Sequence, residues 1–221
     1  TLGFAGCHIR ELALYRESDS RFTDIAPKVY GIHEDPEREA YILVLEQLRN
    51  MILMDSADDV SGWGRPEIEA ALVGIGRFHA IWYGREEELL AQPWIVAPPT
   101  LAGMIEKAEL WEALGVHAMN EFPQWFGPSD LSLHRELVRN IPRWWKPIES
   151  MPRTLIHNDF NPRNVALRPT AEGPKLCAYD WELATLHLPQ RDVAEFLCFV
   201  LGADATEEEV AHYVGVHRRA L

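Results

Sequence analysis

Two short polar segments of this chain contain side chains that suit phosphoryl chemistry. The first is His157-x-Asp159-x-x-x-x-Asn164, and the second, DWE, begins at Asp180 at the end of an apolar run. A carboxylate such as Asp159 can take a proton from a hydroxyl, while Asn164 and Asp180 supply oxygen donors of the kind that Mg²⁺ prefers. Phosphoryl transfer needs an oriented nucleophile and metal ions that neutralise charge on the migrating group. The pattern therefore indicates phosphoryl transfer.

Short apolar runs flank both polar segments and predict strands. Thr154–Ile156 precedes the first segment, and residues 165–168 and 175–179 lie on either side of a polar turn. Bounded apolar runs of this length are typical of strands in a small hairpin. Asp180 follows Asp159 by 21 residues, which is enough chain for a hairpin that brings the two carboxylates side by side.

The beginning of the chain predicts a helix over residues 3–17. Phe4, Cys7, Glu11 and Leu14 fall on one stripe at helical spacing. Glu11 is thus a carboxylate on an otherwise apolar face, which is costly unless a cation meets it. Strands are predicted next, at residues 28–33 and 40–45, with turn residues between them.

After a predicted hinge at residues 46–50, the sequence becomes mainly helical. Apolar positions from Ile68 to Trp82 repeat at steps of three and four, so one long helix is predicted from Arg65 onward. His79 shares this apolar face and is expected to be a core histidine. Further helices are predicted over Leu101–Phe122, over Asp130–Trp145, after Asp192, and from Thr206, where Thr206 and Glu209 form a capping box.

This order of elements predicts an α+β fold with two lobes. Residues 1–48 would form part of a small N-terminal lobe, a helix and two strands, and residues 49–221 would form a mainly helical C-terminal lobe that carries the polar hairpin. A cleft between two such lobes is a favourable place to bind a nucleotide.

The composition of the chain indicates which kinds of molecule it can bind. The formal net charge of −13 argues against nucleic acid, which calls for a basic face, and it permits a cationic substrate. No apolar run approaches the roughly 20 residues that a membrane-spanning helix needs. The three cysteines lie among apolar neighbours and predict buried, reduced thiols in a cytoplasmic protein.

The two polar segments resemble those of the aminoglycoside phosphotransferase and choline kinase-like family, within the wider protein-kinase fold. Members of that family combine a His-x-Asp…Asn loop with Asp-Trp-Glu or Asp-Phe-Glu and a small residue, as in DWELA at 180–184 here. The segment RDVA at 191–194 is similar to the family's Asp-Leu-Ala element. FHA at 78–80 is similar to the Leu-His-Ala of its long helix, whereas the match is weakest between about residues 94 and 148.

The resemblance implies roles for the residues of the polar segments. Asp159 would be the catalytic base, and Asn164 and Asp180 would ligate Mg²⁺ at the phosphates of ATP. His157 would pin the loop backbone rather than act as a base. Asp192 precedes a predicted helix, which favours an N-cap that also steadies the loop.

The resemblance also implies a nucleotide site in the N-terminal part. Glu11 would be the helix glutamate that pairs with a strand lysine to hold phosphates, and the backbone of Glu46 and Leu48 would bond the adenine. The roles of two residues stay open. Arg163 would contact either phosphate or an acidic neighbour, and Glu182 would either reach the metal ion that Asp180 binds or not reach it.

One departure from the family pattern concerns the phosphate-binding elements. No Gly-rich loop and no strand lysine precede the Glu11 helix, and Lys28 lies in the wrong strand to replace that lysine. We therefore expect a longer parent chain to hold both elements upstream.

The predicted function is ATP-dependent transfer of the γ-phosphoryl group to a hydroxyl of a small molecule, such as an aminoglycoside, an amino alcohol or a sugar-like acceptor. The alternative is a catalytically idle kinase-like module that binds a nucleotide or a partner. The sequence leaves open the acceptor, the choice of ATP or GTP, and the oligomeric state.

Overall fold

A computed structural model describes residues 6–221 of the chain. Its helices are α1 Cys7–Leu14, α2 Ser20–Thr23, α3 Arg65–His79, α4 Glu86–Leu90, α5 Leu101–Glu106, α6 Ala108–Glu121, α7 Pro128–Arg139, α8 Ile141–Glu149, α9 Gln190–Val200 and α10 Glu207–Ala220. Its strands are β1 Val29–Asp35, β2 Ala40–Leu45, β3 Thr154–Ile156, β4 Val165–Thr170, β5 Gly173–Ala178 and β6 Thr185–His187. Phe4 and the predicted helix start at Gly3 lie outside the described residues.

The first strand pair is an antiparallel hairpin of β1 and β2 in which Asp35 pairs with Ala40. Its turn is a short 3₁₀-helix over Pro36–Arg38, and the side chain of Asp35 accepts a hydrogen bond from the backbone of Arg38. A proline at the start of such a turn has its φ already fixed. The strand predicted at 40–45 is confirmed, whereas the strand predicted at 28–33 runs to Asp35 and takes in two residues predicted to turn.

A second antiparallel hairpin, β4–β5, carries the second polar segment at its open end. Val165 pairs with Ala178, so Asn164 and Tyr179 leave the hairpin side by side. β3 pairs with β6, a strand that the sequence pattern does not predict. The two short sheets bracket both polar segments.

Aromatic residues from distant elements form the core beneath these hairpins. Trp181 is fully buried, with ring centroids 5.2 Å from Phe22 and 4.7 Å from Phe78. Phe160 and Phe196 pack together at 5.1 Å. Burial of such rings contributes about 2–3 kcal/mol each relative to exposure, so this cluster is a main support of the polar segments.

Two predicted helices are wrong in extent. The predicted helix over 101–122 is interrupted at Lys107, and the one over 130–145 is interrupted at Asn140. Pro142 stands in the first turn of α8, where a proline begins a helix because its N–H would be unpaired anyway. The capping box of α10 is confirmed, since the Thr206 side chain accepts from the backbone of Glu209.

The chain divides into two compact units. One comprises residues 1–96 and 152–221, and the other comprises residues 97–151. The division into lobes at residue 48 stays a prediction. Among the described residues, no helix combines the length and apolar character needed to cross a membrane. Cys7 and Cys177 are buried and outside any disulfide, as predicted, whereas Cys198 is exposed, which contradicts the prediction of three buried thiols.

Candidate active site

The 157–164 loop surrounds the carboxylate of Asp159 with side-chain amides. Asn164 Nδ2 donates to Asp159 Oδ2 at 2.6 Å, and Asn161 Nδ2 donates to Asp159 Oδ1 at 2.9 Å. Asn164 Nδ2 also lies 3.0 Å from the backbone oxygen of Asp159. Both carboxylate oxygens are therefore fixed in direction, and each keeps a further lone pair for a proton donor.

Asn164 and Asp180 are neighbours at the open end of the β4–β5 hairpin. The backbone N–H of Tyr179 donates to the backbone oxygen of Asn164 at 3.0 Å. Asp180 follows Tyr179 directly and has a φ of +62°. A left-handed conformation is uncommon for a residue other than glycine, and aspartate is among those that tolerate it best. The structure thus brings together the two residues predicted to bind metal.

The chemistry of these side chains fits Mg²⁺. Asn164 uses only its Nδ2 atom in the bonds to Asp159, so its Oδ1 atom is not committed to that carboxylate. Among residues 6–221 there is no group of three His, Cys, Asp or Glu side chains that could hold a metal ion. Mg²⁺ does not need such a cage, because it is commonly held by one or two protein oxygens together with substrate phosphates and water.

His157 supports the loop from within the core. Its Nε2 atom lies 3.0 Å from the Tyr179 oxygen, and its ring centroid lies 4.3 Å from that of Trp181. Burial lowers the pKa of His157, against the opposing effect of Asp192. A buried neutral ring that bonds the backbone between the two segments is consistent with the predicted pinning role.

Asp192 fixes the backbone at the start of the loop. Its carboxylate accepts from the N–H groups of His157 at 2.7 Å and Asn158 at 2.9 Å, and it lies 3.0 Å from His79 Nε2. Burial alone would raise the pKa of Asp192, but the hydrogen bonds from His79 and His157 outweigh it and hold the pKa below its usual range. Asp192 lies in the first turn of α9, whose N-cap is Pro189, so the predicted N-cap role is wrong.

A second buried histidine extends this network to the last helix. His79 Nδ1 lies 2.9 Å from His217 Nε2, and both rings are buried. His79 is therefore a hydrogen-bonded core histidine, as predicted. Burial, reinforced by His79, lowers the pKa of His217 to about 4.

Glu11 lies beside the second polar segment. Its pKa is raised first by burial and then by the carboxylate of Asp180, whereas a hydrogen bond from the backbone of Trp181 lowers it. The structure thus places Glu11 of α1 against the residues that follow β5. Its predicted pairing with a strand lysine stays a prediction.

Glu46 and Leu48 follow β2, where the chain leaves the first hairpin. The Glu46 N–H donates to the Lys28 oxygen at 2.8 Å, and the Glu46 side chain accepts from Arg168. The hydrogen bond from Arg168 lowers the pKa of Glu46. Leu48 lies in a stretch that is neither helix nor strand. Their predicted role at adenine is not tested by these contacts.

Several contacts of the loop were not predicted. Arg163 pairs with the exposed carboxylate of Asp58 at 3.0 Å, which favours the acidic neighbour of its two open roles. Asn161, which the sequence gives no role, bonds Asp159 directly. Arg191 Nε donates to Asn158 Oδ1 at 2.8 Å. Only the Asn-x-x-Asn spacing inside the loop and the polar positions of α9 could have indicated these contacts.

A model of the phosphotransferase enzyme family matches residues 26–220, which is most of the chain. No curated protein matches the sequence. Solved structures do resemble it. An aminoglycoside-3'-phosphotransferase of type VIII is 19% identical, covering 99% of this chain and 73% of its own, with a TM-score of 0.55.

Two further solved structures resemble this chain to a similar degree. An ethanolamine kinase of Plasmodium vivax is 15% identical over 99% of this chain and 58% of its own, with a TM-score of 0.57. An aminoglycoside phosphotransferase of Streptomyces rimosus, in complex with ADP and streptomycin, is 16% identical over 99% of this chain and 82% of its own, with a TM-score of 0.55. These likenesses confirm the predicted protein-kinase-like fold.

Proposed function

The chain belongs to the phosphotransferase enzyme family, and we propose that it transfers the γ-phosphoryl group of ATP to a hydroxyl of a small molecule, with Mg²⁺ as cofactor. The predicted family and the predicted enzyme class are confirmed by the family match. The nucleotide, the metal, the acceptor and the residue roles are the content of the proposal. A cytoplasmic setting, which suits ATP and three cysteines that form no disulfide, belongs to it as well.

The observation that carries the proposal is the arrangement around Asp159. Its two carboxylate oxygens accept from Asn161 and Asn164, and neither of these amides can give it a full proton. Asp159 is thus held in one orientation and keeps its capacity to accept the proton of an acceptor hydroxyl. A base that is positioned in this way contributes about 10²–10⁴-fold to a rate.

Asn164 and Asp180 are the proposed metal ligands. Their adjacency at the open end of β4–β5 supports this, as does the amide oxygen of Asn164, which takes no part in its bonds to Asp159. When bound, Mg²⁺ would neutralise charge on the nucleotide phosphates. The carboxylate of Asp180 and the amide oxygen of Asn164 would hold the ion.

The remaining residues bind the nucleotide or support the site. The carbonyl of Glu46 and the N–H of Leu48 are proposed to bond adenine, which is compatible with the Glu46 N–H being committed to Lys28. Glu11 is proposed to act at the phosphate side, where it lies near Asp180. His157 and Asp192 keep the loop backbone in place.

The acceptor is proposed to be a hydroxylated small molecule, and a cationic one is favoured. The formal net charge of −13 would attract such a molecule. Streptomycin, from the complex of one structural relative, and ethanolamine, from the name of another, are the first probes. Both carry hydroxyl and basic groups.

Asp159→Asn tests the central assignment. The neutral amide keeps an acceptor oxygen for Asn164 but cannot take up a proton, so ADP release with ATP, Mg²⁺ and an active probe should fall about 1,000-fold. ATP should still raise the melting temperature, because Asp159 is not a proposed nucleotide ligand. The measurement uses the full natural protein. The exposed Asp204→Asn serves as the matched control.

Two outcomes would count against the proposal. Turnover that survives Asp159→Asn would remove this residue from the base role. ATP binding without ADP release, across a panel of amines and sugars, would favour the idle nucleotide-binding module.

A further inference from the structure

Helices α3 and α10 approach each other closely at Gly76. A Cβ atom placed on Gly76 would lie 2.9 Å from the Cβ atom of Ala220 and 3.0 Å from the backbone oxygen of His217. Both distances are shorter than an ordinary van der Waals contact, so a larger residue would push the helices apart. His79 follows Gly76 by one helical turn and shares its face of α3. The glycine thus brings the side chain of His79 within reach of α10.

Two histidines form a hydrogen bond across this contact. His79 Nδ1 lies 2.9 Å from His217 Nε2, and His79 Nε2 lies 3.0 Å from Asp192 Oδ2. A carboxylate only accepts hydrogen bonds, so His79 carries a proton on Nε2, and in the neutral ring its Nδ1 atom can then only accept. Burial keeps His217 neutral near pH 7, because it lowers the pKa to about 4. The bond between the rings therefore requires the tautomer of His217 that is protonated on Nε2.

Asp192 continues this chain of bonds to the loop of the proposed base. Its Oδ2 atom accepts from His79 and, at 2.7 Å, from the His157 N–H, and its Oδ1 atom accepts from the Asn158 N–H at 2.9 Å. The Asn158 backbone is left-handed, with φ of +65°, and such a conformation persists only when surrounding contacts determine it. The proposed base follows Asn158 directly. An unbroken chain of hydrogen bonds therefore connects α10 to the backbone that carries the base.

A second histidine of α10 contacts α3 at the protein surface. His212 Nε2 lies 2.7 Å from Glu69 Oε1, and the His212 side chain is 32% exposed. Arg65 Nε donates to the same Glu69 oxygen at 2.8 Å. Among residues 6–221, the side-chain hydrogen bonds of His212 and Glu69 involve only each other and Arg65. His212 thus joins the same two helices without a connection to the loop.

We propose that His217 is a positioning residue, which acts through His79 and Asp192 to hold the backbone that carries Asp159. The proposal rests on the proposed function for its catalytic consequence. Its structural part, the hold of α10 on the loop, can be measured without turnover.

Hydrogen exchange of single backbone amides, in the full natural protein, tests the structural part. His217→Met keeps a buried side chain of similar length but removes the donor to His79. The N–H groups of His157 and Asn158 should then exchange about 10-fold faster, which is the size of the net contribution of one hydrogen bond. The Leu167 N–H, in the β4–β5 hairpin, is the internal reference that would report a general loss of stability.

Nitrogen-15 NMR of the histidine rings tests the hydrogen bond itself. In the wild type near neutral pH, His217 should carry its proton on Nε2, and His79 Nδ1 should be an unprotonated acceptor. In His217→Met, the Nδ1 signal of His79 should move toward that of a nitrogen without a hydrogen bond. His217→Gln keeps an N–H donor and should restore part of the signal and of the slow exchange. His212→Met is the matched control and should change neither.

Kinetics with ATP, Mg²⁺ and streptomycin or ethanolamine test the consequence for the base. His217→Met should lower kcat about 10-fold at an unchanged KM for ATP, because a small displacement of the base affects the chemical step. His217→Gln should recover part of the loss. His212→Met should match the wild type.

The possible outcomes are distinct. If exchange at His157 and Asn158 changes no more than exchange at Leu167, the proposal is overturned, whatever the activity. Faster loop exchange with unchanged kcat also overturns it, as does a His212→Met variant that behaves like His217→Met. If His217→Gln recovers nothing, the effect comes from packing and the proposal is likewise overturned. A wild-type protein that turns over no probe would count against the proposed function, while the exchange result would still decide whether α10 holds the loop.

Discussion

The 157–164 loop and the helical unit of residues 97–151 are stabilised in different ways. The loop is held by hydrogen bonds of its buried His157, whose backbone N–H donates to Asp192 and whose ring lies 3.0 Å from the Tyr179 backbone oxygen. Of residues 97–151, all described, only Gly115, Leu131, Ile141 and Trp145 are buried. The same unit exposes large apolar side chains, and that of Trp125 is 78% exposed.

The difference shows where each region is vulnerable. A buried polar network depends on every partner, because one lost group leaves others desolvated and unpaired. A thin apolar layer between helices loses little when an exposed residue changes, and more when one of its few buried residues changes. Polar substitutions should therefore matter most around the loop, and apolar truncations should matter most at the few buried positions of 97–151.

The largest effect on stability is expected for Asp192→Ala. It leaves the N–H groups of His157 and Asn158 and the ring of His79 without their buried acceptor. The free energy of unfolding, measured in urea, should fall by about 3–5 kcal/mol. Asp58→Ala is the control, since the side chain of Asp58 is 91% exposed and contacts the same loop from solvent. If the two variants had the same free energy of unfolding, the buried network would be no more sensitive to substitution than the surface.

A smaller loss of stability is expected from the protonation of His217 as the pH falls. Its folded pKa is about 4, and an unfolded histidine titrates near pH 6.5. Between these values the unfolded chain binds more protons, so stability present above about pH 6.5 is lost as the pH falls toward about 4. The loss from His217 alone is on the order of 3 kcal/mol.

His217→Gln checks this, because glutamine keeps a hydrogen-bonding group near His79 and removes the titration. Urea unfolding at pH 7 and pH 4.5 should show a shallower pH dependence in the variant. Some dependence should remain, since burial also lowers the pKa of His157. If the free energy of unfolding changed with pH equally in the variant and the wild type, His217 would not contribute to the pH dependence of stability.

The smallest effect is expected within residues 97–151. Leu131 of α7 is 4% exposed and lies where α6 approaches closely at Gly115. Leu131→Ala should lower the free energy of unfolding by about 2–3 kcal/mol, the low end for buried leucines, because so thin a layer can partly close the gap. Trp125→Ala should leave it nearly unchanged. A larger loss for Trp125→Ala would mean that the exposed face is covered in solution.

Local patterns predicted the parts of the fold that local chemistry determines. β2 and β3 occur at their predicted bounds because short apolar runs between turn residues have few alternatives. The Thr206 capping box is equally local. The placement of Asn164 near Asp180 could be predicted because two short apolar runs joined by a polar turn lie between them, and these runs form the β4–β5 hairpin.

Long-range contacts could not be predicted in this way. Nothing in the sequence indicates that Arg191 bonds Asn158, since that contact joins residues 33 positions apart in the chain. The interruption at Lys107 was missed because the apolar spacing continues through it. The exposure of Cys198 was missed because it depends on which face of α9 packs inward.

The bond between His79 and His217 joins residues that are 138 positions apart. During synthesis, the segment that includes Asp159 leaves the ribosome well before α10 does. Until α10 docks, His79 lacks its second partner and the support beneath Asp192 is incomplete. A nascent chain should consequently complete this support only after α10 has emerged, so ribosome-bound intermediates that end before His217 should hold the 157–164 loop less firmly.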